Sequence, residues 1–506
     1  MTPPLAGAPR AWVTAALSLA AFMQVLDSTI ATVAIATIAG DLGASASQGT
    51  WVITSFAVAN AISVPVSGWL ARRVGEVRLF LVATLGFVAA SWLCGVAPSL
   101  EALIACRVLQ GALAGPVIPL SQSLLLAAYP DDKKGMALAL WSTLVIVAPV
   151  CGPVLGGWIA DRWHWGWLFF INVPLGLLCS AVAWRLLHGR ETRVEAQPVD
   201  RVGLVLLVLG VGALQLLLDR GRELDWFESA EIVALAVVAV VALAYLLVWE
   251  RHEPHPVLAL ALFRRRNFTV GVVATSVGFL LYLGAEVLIP LLLQTQHGYT
   301  AERAGLAVAP VGLLPVLLSP LIGRYVGHVD LRWLVTASFL AFAACFAWRA
   351  TSFLPGMAFE TVVWPQLALG LAVAGFFMPL TAISFAGLRP EEIAGAAALA
   401  NFLRTLAGSI GASGVGALWE RREALHHARL AELAGRLEPD ALHGLAMQDW
   451  GAAQADGLLA REIARQAAFI GANEIFWGSA LLFLLLIALV WLARPPFGRA
   501  PAGAAH

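Results

Sequence analysis

Fourteen apolar runs, each near the length of a bilayer-spanning helix, divide this chain from end to end. They lie near 12–35, 51–70, 79–97, 101–126, 137–160, 168–187, 202–218, 230–249, 268–292, 305–322, 334–348, 361–387, 398–418 and 470–492. Gly, Pro or charge separates each from the next. A spanning helix needs about 20 mostly apolar residues. The chain is 60% hydrophobic and 13% charged, with mean hydropathy +0.81; soluble domains carry roughly 25% charge. These features predict an all-α integral membrane protein. A net charge of zero and a pI near 7.2 point to no nucleic-acid partner. The first run follows Arg10 without a convincing small-residue cleavage site, so it reads as a retained first helix.

Loop charge sets the expected orientation. With the N-terminus inside, the inner side holds 18 Lys and Arg, and the short outer loops hold five: Arg162, Arg220, Arg222, Arg303 and Arg349. Both termini are then cytoplasmic. Cys94, Cys106, Cys151, Cys179 and Cys345 all fall in the expected spans. No outer-loop disulfide and no cysteine metal site follows from them.

An internal repeat organises the helices. Arg-x-Val-Gly-x-Val occurs at 72–77 and again at 324–329, 252 positions later. Each copy follows an outer loop of similar length and polarity, "LGASASQGT" from 42 and "HGYTAERAG" from 297. The first copy follows helix 2, which makes helix 9 the first helix of a second half. Residues 1–187 then form one six-helix bundle. Residues 188–267 carry an inserted pair, helices 7 and 8. Residues 268–506 form the second bundle, including an outer segment 419–469. Two such halves with a site at the midplane between them is a transporter plan.

Five segments carry a resemblance: "LDSTIATVAIATI" (26–38), "GWLARRVGEVRLF" (68–80), "ACRVLQGALAGPVIPLSQS" (105–123), "APVCGPVLGGWI" (148–159) and "HWGWLFFINVPLG" (164–176). The chain resembles the fourteen-helix drug:proton antiporters of the major facilitator superfamily, in particular the inner-membrane subunits of tripartite multidrug efflux pumps. That resemblance implies the major facilitator fold, with helices 1 and 4 lining a central cavity. It also implies a bacterial inner-membrane location, a proton gradient as energy source with no cofactor, and two partners: a periplasmic adaptor and an outer-membrane channel. One departure is local: Arg72 stands where the family's basic loop usually has an acid, which puts any relay through that acid in doubt.

Asp27 in helix 1 and Arg107 in helix 4 lie at matching depth, each roughly 9 Å from the outer face at 1.5 Å per residue. A charge buried there costs about 2.5–3.5 kcal/mol on insertion scales, so intramembrane acids are functional candidates by default. The expected role is a carboxylate exchanging a proton for a drug, with Arg107 beside it; the plain alternative is a structural contact that never titrates. Gln110 shares the Arg107 face, as do Gly111 and Gly115, which let a neighbouring helix approach. Glu286 in helix 9 is the counterpart candidate, as a second proton site or a counter-ion for cationic drugs; otherwise it snorkels to the surface. Asn401 and Arg404, near the inner end of helix 13, read better as snorkelling or interhelix groups.

Gly68, Arg72, Arg73, Gly75 and Arg78 form an inner loop that marks topology and suits a latch, because arginines complement helix C-termini. In helix 5, Pro149 and Pro153 remove backbone hydrogen bonds, and Gly152 and Gly156, with Gly157, give a small-residue face. The resemblance implies that this is a hinge and seal between halves. Phe22, Met23, Phe279, Tyr282, Phe376, Phe377 and Met378 could form an adaptable pocket, though such side chains also face lipid. In 419–469 the spacing of Leu425, Leu430, Leu433 and Leu437 suggests short amphipathic helices on an outer surface that could dock a partner. His426, His427 and His443 have no convincing ligand set.

No Gly-x-x-x-x-Gly-Lys-Ser/Thr, Gly-x-Ser-x-Gly or His-Glu-x-x-His is present. An enzyme would need more clustered catalytic groups, and a sensor would not need Asp27, Arg107 and a Pro/Gly hinge together. The leading expectation is a proton-driven exporter of small apolar or amphipathic drugs. The runner-up is an exporter of a metabolite such as a fatty acid or siderophore.

Overall fold

The computed structural model describes residues 5–44, 46–130, 133–192, 194, 198, 200–221, 223–325, 329–446 and 452–497, with some helical side chains excepted, among them that of Pro153. Twelve described helices are long and apolar enough to cross a membrane, and two shorter apolar helices accompany them. The fourteen are α1 (Gly7–Ile30), α2 (Trp51–Val74), α3 (Glu76–Gly95), α4 (Leu100–Ala128), α5 (Lys134–Arg162), α6 (Trp167–Leu187), α7 (Arg201–Arg220), α8 (Ala230–Trp249), α9 (Arg266–His297), α10 (Ala301–Val308 continuing as Leu313–Tyr325), α11 (Leu331–Ser352), α12 (Phe359–Phe385), α13 (Pro390–Ala446) and α14 (Ala452–Val490). The all-helical expectation and the helix count both hold.

The repeat is visible in the interruptions. α4 breaks at Gly115–Pro116 and α12 at Gly375–Phe376. Pro116 has no N–H to donate, which loosens the first break. Close helix approaches repeat at a spacing of 259 positions. A Cβ at Gly111 would lie 2.4 Å from the Phe56 carbonyl oxygen of α2; one at Gly370 would lie 2.7 Å from that of Val311 beside α10. Only glycine permits those crossings.

Apolar burial is strongest inside the second half. Phe339, Phe342, Phe346, Phe376 and Phe483 are fully buried. The Phe342 and Phe483 rings stack at 4.4 Å, and such pairs add about 0.5–1.5 kcal/mol beyond area. The outward faces of α8 and α14 expose Val240, Val241 and Leu485, as a lipid-facing surface requires.

The halves meet along two seams, α2 with α13 and α5 with α10. α7 covers the first: Leu207 and Val211 pack with Ala61 and Val64 of α2 and Leu399 of α13. At the start of α7, Asp200 caps Gly203 N–H at 2.8 Å and accepts from Trp249 Nε1 at 3.0 Å. Beside it, burial pushes Glu250, just past α8, up to about 7. Asp330 caps α11 and is held below the ordinary carboxylate range, first by its hydrogen bond with the Arg332 side chain.

The outer segment departs from expectation. α13 continues without a break to Ala446, and α14 begins at Ala452. The stretch is two rods, not several short helices. Ala, Leu, Glu and Arg favour helix, and extending an existing helix avoids a new nucleation cost. α13 is roughly 85 Å long at 1.5 Å per residue, far beyond a hydrocarbon core of about 30 Å. Trp419 Nε1 donates to the Ala468 carbonyl at 2.8 Å, and Glu474 meets both Arg422 at 3.3 Å and His426 at 3.1 Å.

Candidate functional site

Asp27 and Arg107 do pair, at 2.6 Å, and both side chains are fully buried. Asp27 also accepts from Asn172 Nδ2 at 2.6 Å and Gln110 Nε2 at 3.0 Å. Arg107 Nη1 donates to Gln110 Oε1 at 2.6 Å, and its Nε to the Val52 carbonyl at 3.0 Å. The Phe56 ring lies 4.1 Å from the guanidinium. Ser91 Oγ accepts from both Gln110 and Asn172, at 3.0 and 2.9 Å. Four helices, α1, α3, α4 and α6, therefore contribute to one polar core. A buried pair survives only where further hydrogen bonds satisfy it; here they hold both carboxylate oxygens of Asp27 and the Nε and Nη1 of Arg107, while Arg107 Nη2 and Asn172 Oδ1 are left without a described partner.

This core is not on the cavity, which corrects the expectation for Asp27, Arg107 and Gln110. The reason is helical phase. Val25 and Thr29 of α1, with Thr32 in the 3-10 turn that follows it, line the cavity. At 100° per residue, Asp27 lies about 200° from Val25 and Thr29, on the opposite face. Met23 shares the Asp27 face and is buried with Phe56 and Phe87.

The central cavity has a volume of about 540 Å³. Its wall includes Phe279, Tyr282, Glu286, Phe377 and Met378, all anticipated, together with Pro149 of α5. Phe22 and Phe376 lie elsewhere; Phe376 is buried in the aromatic core because it precedes Phe377 by a 100° turn. Of the seven anticipated aromatic and sulfur side chains, four therefore face the cavity.

Glu286 is the acid on that wall. Arg349 Nη2 donates to it at 3.1 Å and Gln366 Nε2 at 3.1 Å; Arg349 also donates to Gln366 Oε1. Two corrections follow. Arg349 is not an outer-loop charge: its side chain is fully buried. Glu286 is not an uncommitted counter-ion, because Arg349 already balances it. Asp27 and Glu286 stand 259 positions apart, as do Arg107 and Gln366. Aligning the halves at that spacing was the available signal for Gln366; Arg349 falls opposite Ala90, beside Ser91, where no charge directs attention to it.

The floor of the cavity joins the halves. Asn401 Nδ2 of α13 donates to Gln122 Oε1 of α4 at 2.7 Å, and Arg404 Nη2 donates to Asn401 Oδ1 at 2.8 Å. Arg404 lines the cavity with its guanidinium 5.5 Å from Phe279 and 5.8 Å from Phe377. Among the described residues it has no carboxylate within ion-pair distance. Below the floor, a Cβ at Gly68 would come 3.0 Å from Gly395 Cα and 3.1 Å from Ala398 Cβ. The motif loop thus sits where α2 meets α13.

Gly75 has φ +99°, a conformation that favours glycine. Beside it, Glu191 accepts from the N–H groups of Val77 at 3.0 Å and Arg78 at 2.9 Å. A carboxylate at the N-terminus of α3 suits the helix dipole. Arg73 stacks 5.4 Å from Trp69, and Arg72 lies against Gly395. The second motif copy falls partly outside the described residues at 326–328, as do Arg222, Arg193 and Arg499. In α5, Gly152 abuts Thr29 of α1, while the Gly157 side is open.

Comparison with known proteins adds identity to this geometry. The profile described as Major Facilitator Superfamily matches residues 17–412. The chain is 58% identical over 506 residues to "Multidrug export protein EmrB" of Escherichia coli (strain K12), covering 99% of this chain and 98% of that one. It is 56% identical over 499 residues to "Fatty acid resistance protein FarB" of Neisseria gonorrhoeae, covering 98% of each chain. The crystal structure of the human organic anion transporter MFSD10 (TETRAN) superposes with TM-score 0.58 at 13% identity, over 96% of this chain and 100% of that one, a likeness of fold. With its interrupted helices, its two charge cores and its interbundle cavity, the chain belongs to the Major Facilitator Superfamily, within the EmrB family of secondary transporters.

Proposed function

We propose that this protein exports hydrophobic and amphipathic toxic compounds across the bacterial inner membrane in exchange for protons, with both termini cytoplasmic. The observation that carries the reading is the 540 Å³ cavity between the halves, mostly apolar, with the Glu286 carboxylate on its wall. The multidrug export protein EmrB, 58% identical over nearly the whole chain, supports it. Glu286 carries the exchanged proton. Neutralising it weakens its charge-assisted bond to Arg349 and so loosens α9 from α11. Asp27 and Arg107 hold the first bundle together while residues 1–187 and 268–506 rock about the cavity. Gly68, Arg72, Arg73, Gly75 and Arg78 latch one end. Pro149, Gly152, Pro153, Gly156 and Gly157 form the hinge. Proteoliposomes with an imposed pH gradient test this: drug movement should require the gradient, and gradient-independent movement would overturn proton coupling.

One observation favours a second reading of the substrate. Arg404 is a cation on the cavity wall with no described acid beside it, and FarB, 56% identical, is named for fatty acid resistance. Amphipathic acids then bind with their carboxylate at Arg404. Arg404→Gln should cut carboxylate export about 10-fold while uncharged compounds change less than about 2-fold. Equal effects on both would reject the assignment.

The paired rods of α13 and α14 dock a periplasmic adaptor that leads to an outer-membrane channel. The short outer loops offer too little area for an interface of about 800 Å² per partner. Replacing 425–465 by a Gly/Ser linker should abolish adaptor co-purification, and wild-type recovery would place docking on a membrane-embedded face.

A further inference from the structure

A second cleft, of about 350 Å³, opens where α2, α7, α9 and α13 come together. It lies at the ends of these helices remote from the chain's N-terminus. Trp51 is the first residue of α2 and Arg220 the last of α7, so the cleft is at headgroup depth. Leu218, Leu288 and Leu291 make its apolar side. The inserted pair supplies the charged side, and nothing in the central site uses it.

Among the described residues the charges are unbalanced. Asp219 is half-buried, and its carboxylate accepts from Gln215 Nε2 at 3.1 Å and from the Thr54 hydroxyl. Both donors are neutral. Exposed Glu223 adds a second carboxylate to the rim. The described cation of the cleft, Arg220, is committed: it pairs with Glu231 and lies 5.4 Å from the Trp51 ring. Among the described residues no cation neutralises Asp219 or Glu223. A carboxylate held partly out of water without a counter-charge is costly. A cation with an apolar tail repays that cost by placing its charge at Asp219 and its chain on the leucines. Phosphate and carboxylate ligands are repelled by the same groups.

We propose that this cleft is a second ligand site, distinct from the central cavity, and that it binds an alkylammonium head with its hydrocarbon tail. Val287 lines both cavities, so the two sites are neighbours. The cleft has the opposite sign to Arg404 on the cavity floor. The ammonium has two sources, an amphipathic cation dissolved in the membrane or the ethanolamine headgroup of a lipid.

The test uses the full chain in phosphatidylglycerol nanodiscs, with tritiated dodecyltrimethylammonium as the probe. Asp219→Asn should weaken binding at least about 10-fold, because the charge-assisted contact to the ammonium is lost. Glu286→Gln should change it less than about 2-fold. Leu291→Trp, which fills the apolar side and leaves every charge in place, should also abolish binding. In the wild-type chain a diazirine analogue of the probe should label 50–57 or 215–223. Unchanged affinity in both cleft variants, or labelling confined to the central cavity, would overturn the proposal. Phosphatidylethanolamine added to the discs separates the sources: displacement of the probe identifies a lipid headgroup as the ligand, and undiminished binding identifies a membrane-dissolved cation.

Discussion

The two halves place an acid at equivalent positions and then treat it in opposite ways. Asp27 and Glu286 stand 259 positions apart on the first helix of each half. Asp27 has donors from Arg107, Gln110 and Asn172 and is sealed. Glu286 has Arg349 and Gln366 and reaches the cavity. The arginine has also changed helix: it comes from α4 in the first half and from α11, the counterpart of α3, in the second. A sealed ion pair is bound to its partners from every side, so it ties four helices into one body. A pair that reaches a cavity can respond to what enters. The scaffold around the two acids is alike, and the difference in burial is what the proposed division between a rigid core and an exchanging carboxylate rests on.

The largest effect expected from that difference is on coupling. Glu286→Gln should reduce pH-gradient-driven export to background while the chain remains monodisperse. Asp27→Asn should lower the yield of folded protein more than the turnover of what folds. Proton release on drug addition, measured per folded molecule, checks both; release surviving in Glu286→Gln would move the exchange site to Asp27.

Stability should show the reverse order. Arg107→Ala leaves a buried carboxylate unpaired and should cost about 3–5 kcal/mol. Arg349→Ala should cost less, because Glu286 then gains water from the cavity. In a double-mutant cycle, Asp27→Asn with Arg107→Gln should recover at least half of the Arg107→Gln loss. Unfolding in detergent reads each value, and equal losses at Arg107 and Arg349 would erase the distinction between sealed and open pairs.

The smallest expected effect lies at the packing glycines beside each acid. Gly152 and Gly411 are again 259 apart. A Cβ at Gly411 would meet the Leu280 carbonyl oxygen at 2.2 Å, backbone that cannot yield. At Gly152 it would meet the Thr29 side chain, Oγ1 at 2.1 Å and Cβ at 2.8 Å, with backbone no nearer than 3.2 Å, so rotation of Oγ1 and a small shift of α1 relieve it. Gly411→Ala should cost about 1–3 kcal/mol and Gly152→Ala less than half of that. A larger loss at Gly152 would mean that the α1–α5 crossing is the tighter one.

Much of this architecture is legible in the amino-acid sequence. Run lengths are enough for fourteen helices because a bilayer imposes one length on every span. Depth along a helix is also legible, since rise per residue is constant, and it correctly sets Asp27 level with Arg107. Facing is not. Phase around the axis separates Asp27 from Val25 and Thr29, yet nothing in a chain that is apolar on every side shows which phase meets a cavity and which meets a neighbour. Hydropathy even misassigns Arg349, since an arginine near a helix end looks the same whether it snorkels or pairs.

Local chemistry along the chain thus accounts for the spans and the repeat, because each depends on neighbours in sequence and on a uniform solvent; the break at Gly115–Pro116 and the continuation of α13 to Ala446, where the leucine spacing suggests short helices, emerge only in the structure. Partners remote in sequence belong to the tertiary structure. Asn172 reaches Asp27 across 145 positions, Asn401 reaches Gln122 across 279, and Glu191 reaches Val77 across 114. A polar side chain inside a membrane must find a partner to offset its desolvation, but many helices can offer one. Only the packing of all fourteen selects which carboxylate is closed over and which is left facing the cavity.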